Sequence, residues 1–208
     1  MADMEVPYIS DDVIFHRAES FLEEFHPDNT LPVPIEEIAE KKLGLMILPI
    51  ANLEVFCEIS GTMSKDFKTI LIDEKTYENQ ESRTRFTVAH EIGHFILHKE
   101  LFEKANGSYS IDDFIKFQNS LTNTAYKRLE IQAFRFGEEV LFPRDKLNQI
   151  VTTLVEGFGG LEFLVATDLE LLVQSVATKF GVSGKATYNK IKRSYPSIIE
   201  TAMSNSPF

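Results

Sequence analysis

The chain lacks tryptophan altogether and carries one cysteine, Cys57, among 208 residues. A lone cysteine excludes an intramolecular disulfide and fits a reducing cytoplasm. With no partner thiol for a metal, Cys57 is expected to be a small buried hydrophobe. No apolar stretch approaches 18 residues, and the start, MADMEVPYISDD, is acidic without a basic region leading into an apolar run. Neither a membrane span nor a secretory signal is therefore expected. Positive charge is scarce as well, with 21 Lys and Arg against 32 Asp and Glu. Five of those bases, Lys179, Lys185, Lys190, Lys192 and Arg193, fall between Gln174 and Ile199 with no acid among them, so the remainder carries −16 against −11 for the whole chain. Such an acidic bulk repels phosphate backbones and argues against direct nucleic-acid binding.

What is present is enough for one sizeable core with room for a small appended subdomain: 43% of residues are apolar and 11% aromatic. Asp11 or Asp12 is placed to cap a first helix through Phe25, with Val13, Ala18, Phe21, Leu22 and Phe25 as its apolar positions. The run VPIEEIAEKKLGLMILPI predicts a helix over 35–42, a stop at Gly44 and a strand through Leu48. EVFCEISGTM and KTILID, split by the polar SKDF, predict an antiparallel hairpin over 54–73. A short antiparallel sheet among helices makes the expected class α+β. A further helix should start at Asn79 or Ser82 and give way to a loop at Asn106–Ser110.

That helix contains RFTVAHEIGHFILH, and within it HExxH as His90, Glu91 and His94. Histidines four apart stand one helical turn from each other on one face, so both imidazoles can reach one ion at about 2.0–2.1 Å. Glu91 sits beside such an ion, where it can take a proton from water. On a helical projection Thr87, His90, Glu91, His94 and His98 share an arc of roughly 100°, while Phe86, Val88, Ala89, Ile92, Gly93, Phe95, Ile96 and Leu97 fill the rest. A helix apolar on nearly all sides is buried, and its polar slot must be satisfied by partners or by metal.

A hydrolytic zinc site needs a third protein ligand and one open position. His98 fails on geometry, since it lies about 12 Å along the helix from His90, and is expected to support the site or the structure instead. The segment Thr124–Phe142 offers Glu130, a carboxylate inside an apolar arc formed by Tyr126, Leu129, Ala133, Phe134, Phe136, Gly137, Val140 and Leu141. Arg128, Gln132, Arg135 and Glu139 gather on the opposite side, which is expected to face solvent, with Glu138 on the margin. A carboxylate facing a core is costly unless paired with a base or bound to metal, which makes Glu130 the candidate third ligand. Glu100, Glu103, Asp112 and Asp113 are expected to be solvated.

The chain resembles the ImmA/IrrE family of metallopeptidases through RFTVAHEIGHFILH and EIQAFRFGEEVLFP at Glu130–Pro143, and more weakly through VPIEEIAEKKLGLMI and ATKFGVS. The resemblance runs from about Val33 to Ser194. It implies a zincin-like core in which His90, His94 and Glu130 hold Zn2+ and Glu91 is catalytic, within a cytoplasmic endopeptidase that cuts a helix-turn-helix repressor of the XRE type and so frees its promoters. Tyr126, one turn before Glu130, is a candidate oxyanion donor, although a packed core tyrosine satisfies the same pattern. Where the family commonly has Asn or Asp this chain has Phe134, and it has Gly137 and Phe142 in place of the usual alanine and methionine. Loss of a polar neighbour typically costs a metal site 10- to 100-fold in affinity or activity.

Two regions are expected: a metallopeptidase core with its N-terminal helix over 1–143, and a helical region over 144–208 packed on it. In the latter, Val176, Ala177, Phe180, Gly181 and Val182 have the spacing of a helix-turn-helix corner, with a second helix over 183–194. The competing function is a regulator that holds zinc without cleaving, and grips a repressor or DNA through these basic helices.

Overall fold

The computed structural model describes residues 6–64, 66–104 and 121–206. The loop expected at Asn106–Ser110, with Asp112 and Asp113, lies outside them. The chain divides into two compact units, Met1–Asn29 with Pro34–Val140, and Thr30–Val33 with Leu141–Phe208.

In the first unit, α1 (Asp11–Phe25) is capped by Ser10, whose hydroxyl accepts from the Val13 N–H, and not by either aspartate. Asp11 and Asp12 occupy the first turn, where carboxylates meet the positive end of the helix dipole. The buried stripe is Ile14, Ala18 and Phe21, so Val13, expected inside, is 44% exposed. Helix α2 (Ile35–Glu37) widens into a π turn at Ile38–Lys42, and Gly44 ends it at φ +66°.

Three strands follow: β1 (Met46–Ile50), β2 (Gly61–Met63) and β3 (Thr69–Asp73), in the order β1-β3-β2. The β2–β3 pair is antiparallel as expected, but β1 runs parallel to β3 with Leu48 opposite Leu71. The sheet is therefore mixed, because the chain between β1 and β3 crosses over and re-enters in the same direction. Part of that crossover is α3 (Leu53–Cys57), a helix where the hairpin reading has a strand. Its cause is distant: the Asp73 carboxylate, at the end of β3, accepts from the Glu54 N–H at 3.1 Å and satisfies one of the first-turn donors. Cys57 at its end is half-buried instead of fully enclosed.

Asp73 also accepts from the Thr76 N–H at 3.2 Å and so caps α4 (Glu74–Asn79). The next helix, α5 (Glu81–Lys104), lies against the sheet and α2. Two devices fix that placement. Arg83 donates to Glu54 Oε1 and Ser60 Oγ, both at 2.6 Å, tying the segment before β2 to the first turn of α5. Gly61 lets β2 lie directly on α5, since a Cβ there would strike the Thr87 methyl and the Leu71 carbonyl. Helix α6 (Asn123–Leu141) completes this unit, and a mostly helical fold with a small sheet is α+β.

The second unit is helical: α7 (Arg144–Gly157), a short turn at Leu161–Phe163, α8 (Ala166–Phe180), α9 (Gly184–Ser194) and α10 (Pro196–Ser204). Gly181 takes φ +64° and the Val182 N–H returns to the Ala177 carbonyl, which ends α8; Ser183 then caps α9. Val176, Phe180 and Ile191 are fully enclosed, with the rings of Phe142 and Phe180 5.4 Å apart. Among the described residues no helix is long and apolar enough to cross a membrane.

Candidate metal centre

Helix α5 buries part of the arc that the projection made apolar: Val88, Ala89 and Ile92 are inaccessible to solvent, whereas Phe86, Phe95, Ile96 and Leu97 are half-buried. Gly93 lies against Ala133 of α6, and Gly137 against Ala89 and His90, so the two helices run antiparallel. Their approach is close enough that a Cβ on Gly93 would sit 2.7 Å from the Ala133 carbonyl oxygen, and one on Gly137 2.9 Å from the Ala89 carbonyl carbon. This contact sets Glu130 over the two histidines of HExxH.

His90 Nε2 lies 3.1 Å from His94 Nε2, and the Glu130 carboxylate spans them with Oε2 at 3.2 Å from His90 and Oε1 at 3.5 Å from His94. Bonds of 2.0–2.1 Å at a tetrahedral ion give ligand-to-ligand edges of about 3.3 Å. With one ligand atom taken from each, the three side chains lie within 4.8 Å of one another, near enough to converge on a single ion, and they form a group of possible metal ligands. Two neutral imidazoles and a carboxylate are also the donor set that suits zinc. Glu130 is held well below the usual carboxylate range: burial opposes its ionisation, but hydrogen bonds from His90 and His94 outweigh it. At His90, burial works against protonation, yet the bond to Glu130 and the charge of Glu91 carry its pKa upward.

Glu91 is 4% exposed and accepts a hydrogen bond from the Met63 N–H of β2. Burial pushes its pKa up, against the opposing pull of His94 and His90. A carboxylate with an elevated pKa, beside a candidate metal site, is suited to accept and return a proton.

Of the other residues singled out by sequence, His98 is buried behind His94, the two Nδ1 atoms 3.1 Å apart. Desolvation brings its pKa down to about 4, so its ring is neutral at pH 7. Tyr126 is half-buried and packs on the cluster of Val6, Leu121, Ala125 and Leu129. Phe134 is 40% exposed with its ring 5.1 Å from that of Phe86, one turn before His90. Gln132 corrects the helical reading of α6: expected on the solvated side, it is 3% exposed and donates to the Pro7 carbonyl. Glu138, placed on the margin, is 2% exposed. The sequence reading missed Gln132 and the Met63 N–H, since neither the covering N-terminal segment nor the β2 edge is signalled by local periodicity.

A family model described as the IrrE N-terminal-like domain, Peptidase_M78, matches residues 55–192, about two thirds of the chain. Comparison with curated proteins gives no match. Among solved structures, a Mycobacterium tuberculosis transcriptional regulator is similar in fold, with a TM-score of 0.54 and 17% identity over 89% of this chain. The chain spans 56% of that regulator.

Proposed function

The chain belongs to the IrrE N-terminal-like domain family of peptidases, and from that premise we propose that it is a cytoplasmic zinc-dependent endopeptidase acting on an XRE-type helix-turn-helix repressor. The observation that carries this reading is the convergence of His90, His94 and Glu130 beside a buried Glu91. His90 Nε2, His94 Nε2 and the Glu130 carboxylate would hold the ion. Zinc in that position would polarise the scissile carbonyl and lower the pKa of a coordinated water. Glu91 takes the proton of the attacking water on its carboxylate and passes it to the leaving amide nitrogen. The N–H of Met63 keeps that carboxylate aimed.

The β2 edge supports a peptide substrate. Ser60 and Ser64 use their backbone groups on β3, so those of Gly61 and Met63 turn to the opposite side, where Glu91 already takes the Met63 N–H. An extended peptide can pair there as an added strand, which brings a scissile bond beside Glu91. Tyr126 remains the candidate donor to the oxyanion, tested by Tyr126→Phe.

The decisive experiment incubates the zinc-loaded chain with the repressor encoded beside its gene, with Glu91→Gln as control. One discrete cut is expected with the native chain, and a rate about 10²- to 10⁴-fold lower with Glu91→Gln. If both proteins bind the repressor and leave it intact, cleavage of that substrate is refuted.

A further inference from the structure

The Nε2 atom of His94 faces Glu130, and its Nδ1 leads into a buried chain of hydrogen bonds. A neutral imidazole has one donor nitrogen and one acceptor, so a ring that gives its Nε2 lone pair to a metal, instead of donating from Nε2 to Glu130, carries its proton on Nδ1. The atom facing that proton is His98 Nδ1 at 3.1 Å, which must therefore accept. His98 then carries its own proton on Nε2, 2.9 Å from Gln132 Oε1, and donates. With its oxygen committed inward, Gln132 directs its amide nitrogen at the Pro7 carbonyl oxygen, 2.9 Å away. A carbonyl oxygen only accepts, so the chain of donors has a single consistent direction, from His94 to His98 and from Gln132 to Pro7.

The far end of this chain is anchored. Arg128, one turn before Gln132, donates to the Val6 carbonyl at 2.8 Å, and the Val6 side chain is 1% exposed among Leu121, Ala125 and Leu129. Two successive carbonyls of the N-terminal segment are thus held by the residues two before and two after Glu130 on α6.

We propose that His98 and Gln132 are positioning residues that fix the metal-binding tautomer and orientation of His94, with the Val6–Pro7 segment as the anchor of their hydrogen-bond direction. The inference rests on the zinc reading of His90, His94 and Glu130. It extends that reading to a neighbour of the ligand that is an imidazole where metal-bound histidines often meet a carboxylate. Without an acceptor at His98 Nδ1, the buried His94 Nδ1–H loses this hydrogen bond and the ring loses a contact that holds its plane.

Zinc affinity measured by competition with a chromophoric chelator, on the full chain, tests this apart from any peptidase activity. His98→Ala should bind zinc about 10- to 100-fold more weakly than the native chain. His98→Asn puts an amide oxygen two bonds from Cβ, where Nδ1 stands, and should recover most of the loss. Gln132→Met should weaken binding in the same direction, and added to His98→Ala it should cost nothing further, because it acts through His98. Should His98→Ala fail to fold, Gln132→Met and His98→Asn carry the same comparison, with the melting point of the zinc-free proteins as the control for a merely structural role. An unchanged affinity in His98→Ala or Gln132→Met, while Glu130→Ala loses zinc, overturns the positioning role and leaves the metal site standing. Equal losses in His98→Asn and His98→Ala overturn it too. If the native chain takes up no zinc that Glu130→Ala fails to bind, the site reading and this inference fall together.

Discussion

Asp73 shows how much one side chain organises around the site. Its two carboxylate oxygens accept from Glu54 and Thr76, capping α3 and α4 at once, and it is 2% exposed. The hydrogen bond from Glu54 is the main reason its pKa lies below the ordinary aspartate value, with burial opposing and Thr76 adding. A carboxyl depressed in the folded state binds its proton less tightly there than in the unfolded chain. Its stabilisation is therefore complete above the unfolded value of about 3.9 and is lost as pH falls through the folded one. Urea unfolding followed from pH 7 down to about 2.5 should show stability falling at the acid end. Asp73→Asn should flatten that part of the curve, because the amide does not titrate, and should also lower stability at pH 7, because its one oxygen can accept from only one of the Glu54 and Thr76 N–H groups. A slope identical in both proteins would remove Asp73 as a source of acid sensitivity. At this scale the sequence was readable where chemistry and periodicity disagreed, as for Glu130, a carboxylate in an apolar arc. Gln132 was not readable, because the face it occupies is covered by Pro7, 125 residues away in sequence.

Between elements, the crossing of α5 on α6 decides whether the three candidate ligands meet. Alanine, usual at position 137 in the family that the sequence resembles, is a better helix former than glycine by about 1 kcal/mol. Here it would put a Cβ 2.9 Å from the Ala89 carbonyl carbon and 3.0 Å from the His90 nitrogen, backbone atoms that no rotamer change can move. Overpacking of this kind costs about 1–3 kcal/mol, so the steric effect should win. Gly137→Ala is expected to lower stability by up to about 2 kcal/mol after the helix-forming gain is subtracted. It should also weaken zinc binding, since the displaced α6 carries Glu130. Thermal unfolding and chelator competition on the variant check both; greater stability with unchanged affinity would contradict the close-packing account. The long helices were legible because their periodicity persists over several turns. The Leu53–Cys57 segment was not, since its helix depends on a cap from the end of β3, and five residues carry no period long enough to separate helix from strand. The parallel partner of β3 was hidden for a related reason: β1 and β3 are joined through another strand and a helix, and local pattern does not record which way a crossover returns.

For the whole chain, charge bears on whether the basic helices bind DNA. Helix α9 forms where the helix-turn-helix spacing placed it, and Lys185, Asn189, Lys192 and Arg193 are exposed along it. Lys190, which the sequence alone would add to that face, is 4% exposed and so is removed from it. Three exposed bases on one helix, each neutralising one phosphate, would give log K a slope of about −2.7 against log salt. Against them stands the net −11 of the chain, which repels a duplex at distances up to the Debye length, about 8 Å at physiological ionic strength. Repulsion summed over the molecule should outweigh so few contacts. The full chain is therefore expected to bind a mixed-sequence duplex no more tightly than the nonspecific range of about 10⁻⁴–10⁻⁶ M at physiological salt, and Lys185→Glu combined with Lys192→Glu should leave cleavage of free repressor unchanged. Fluorescence anisotropy with a labelled duplex over 50–200 mM salt, in parallel with the cleavage assay, measures both. Tight binding with a slope near −3 that vanishes in the double variant would shift the function of these helices to DNA, and the acidic bulk would then have to be screened by something other than bulk salt.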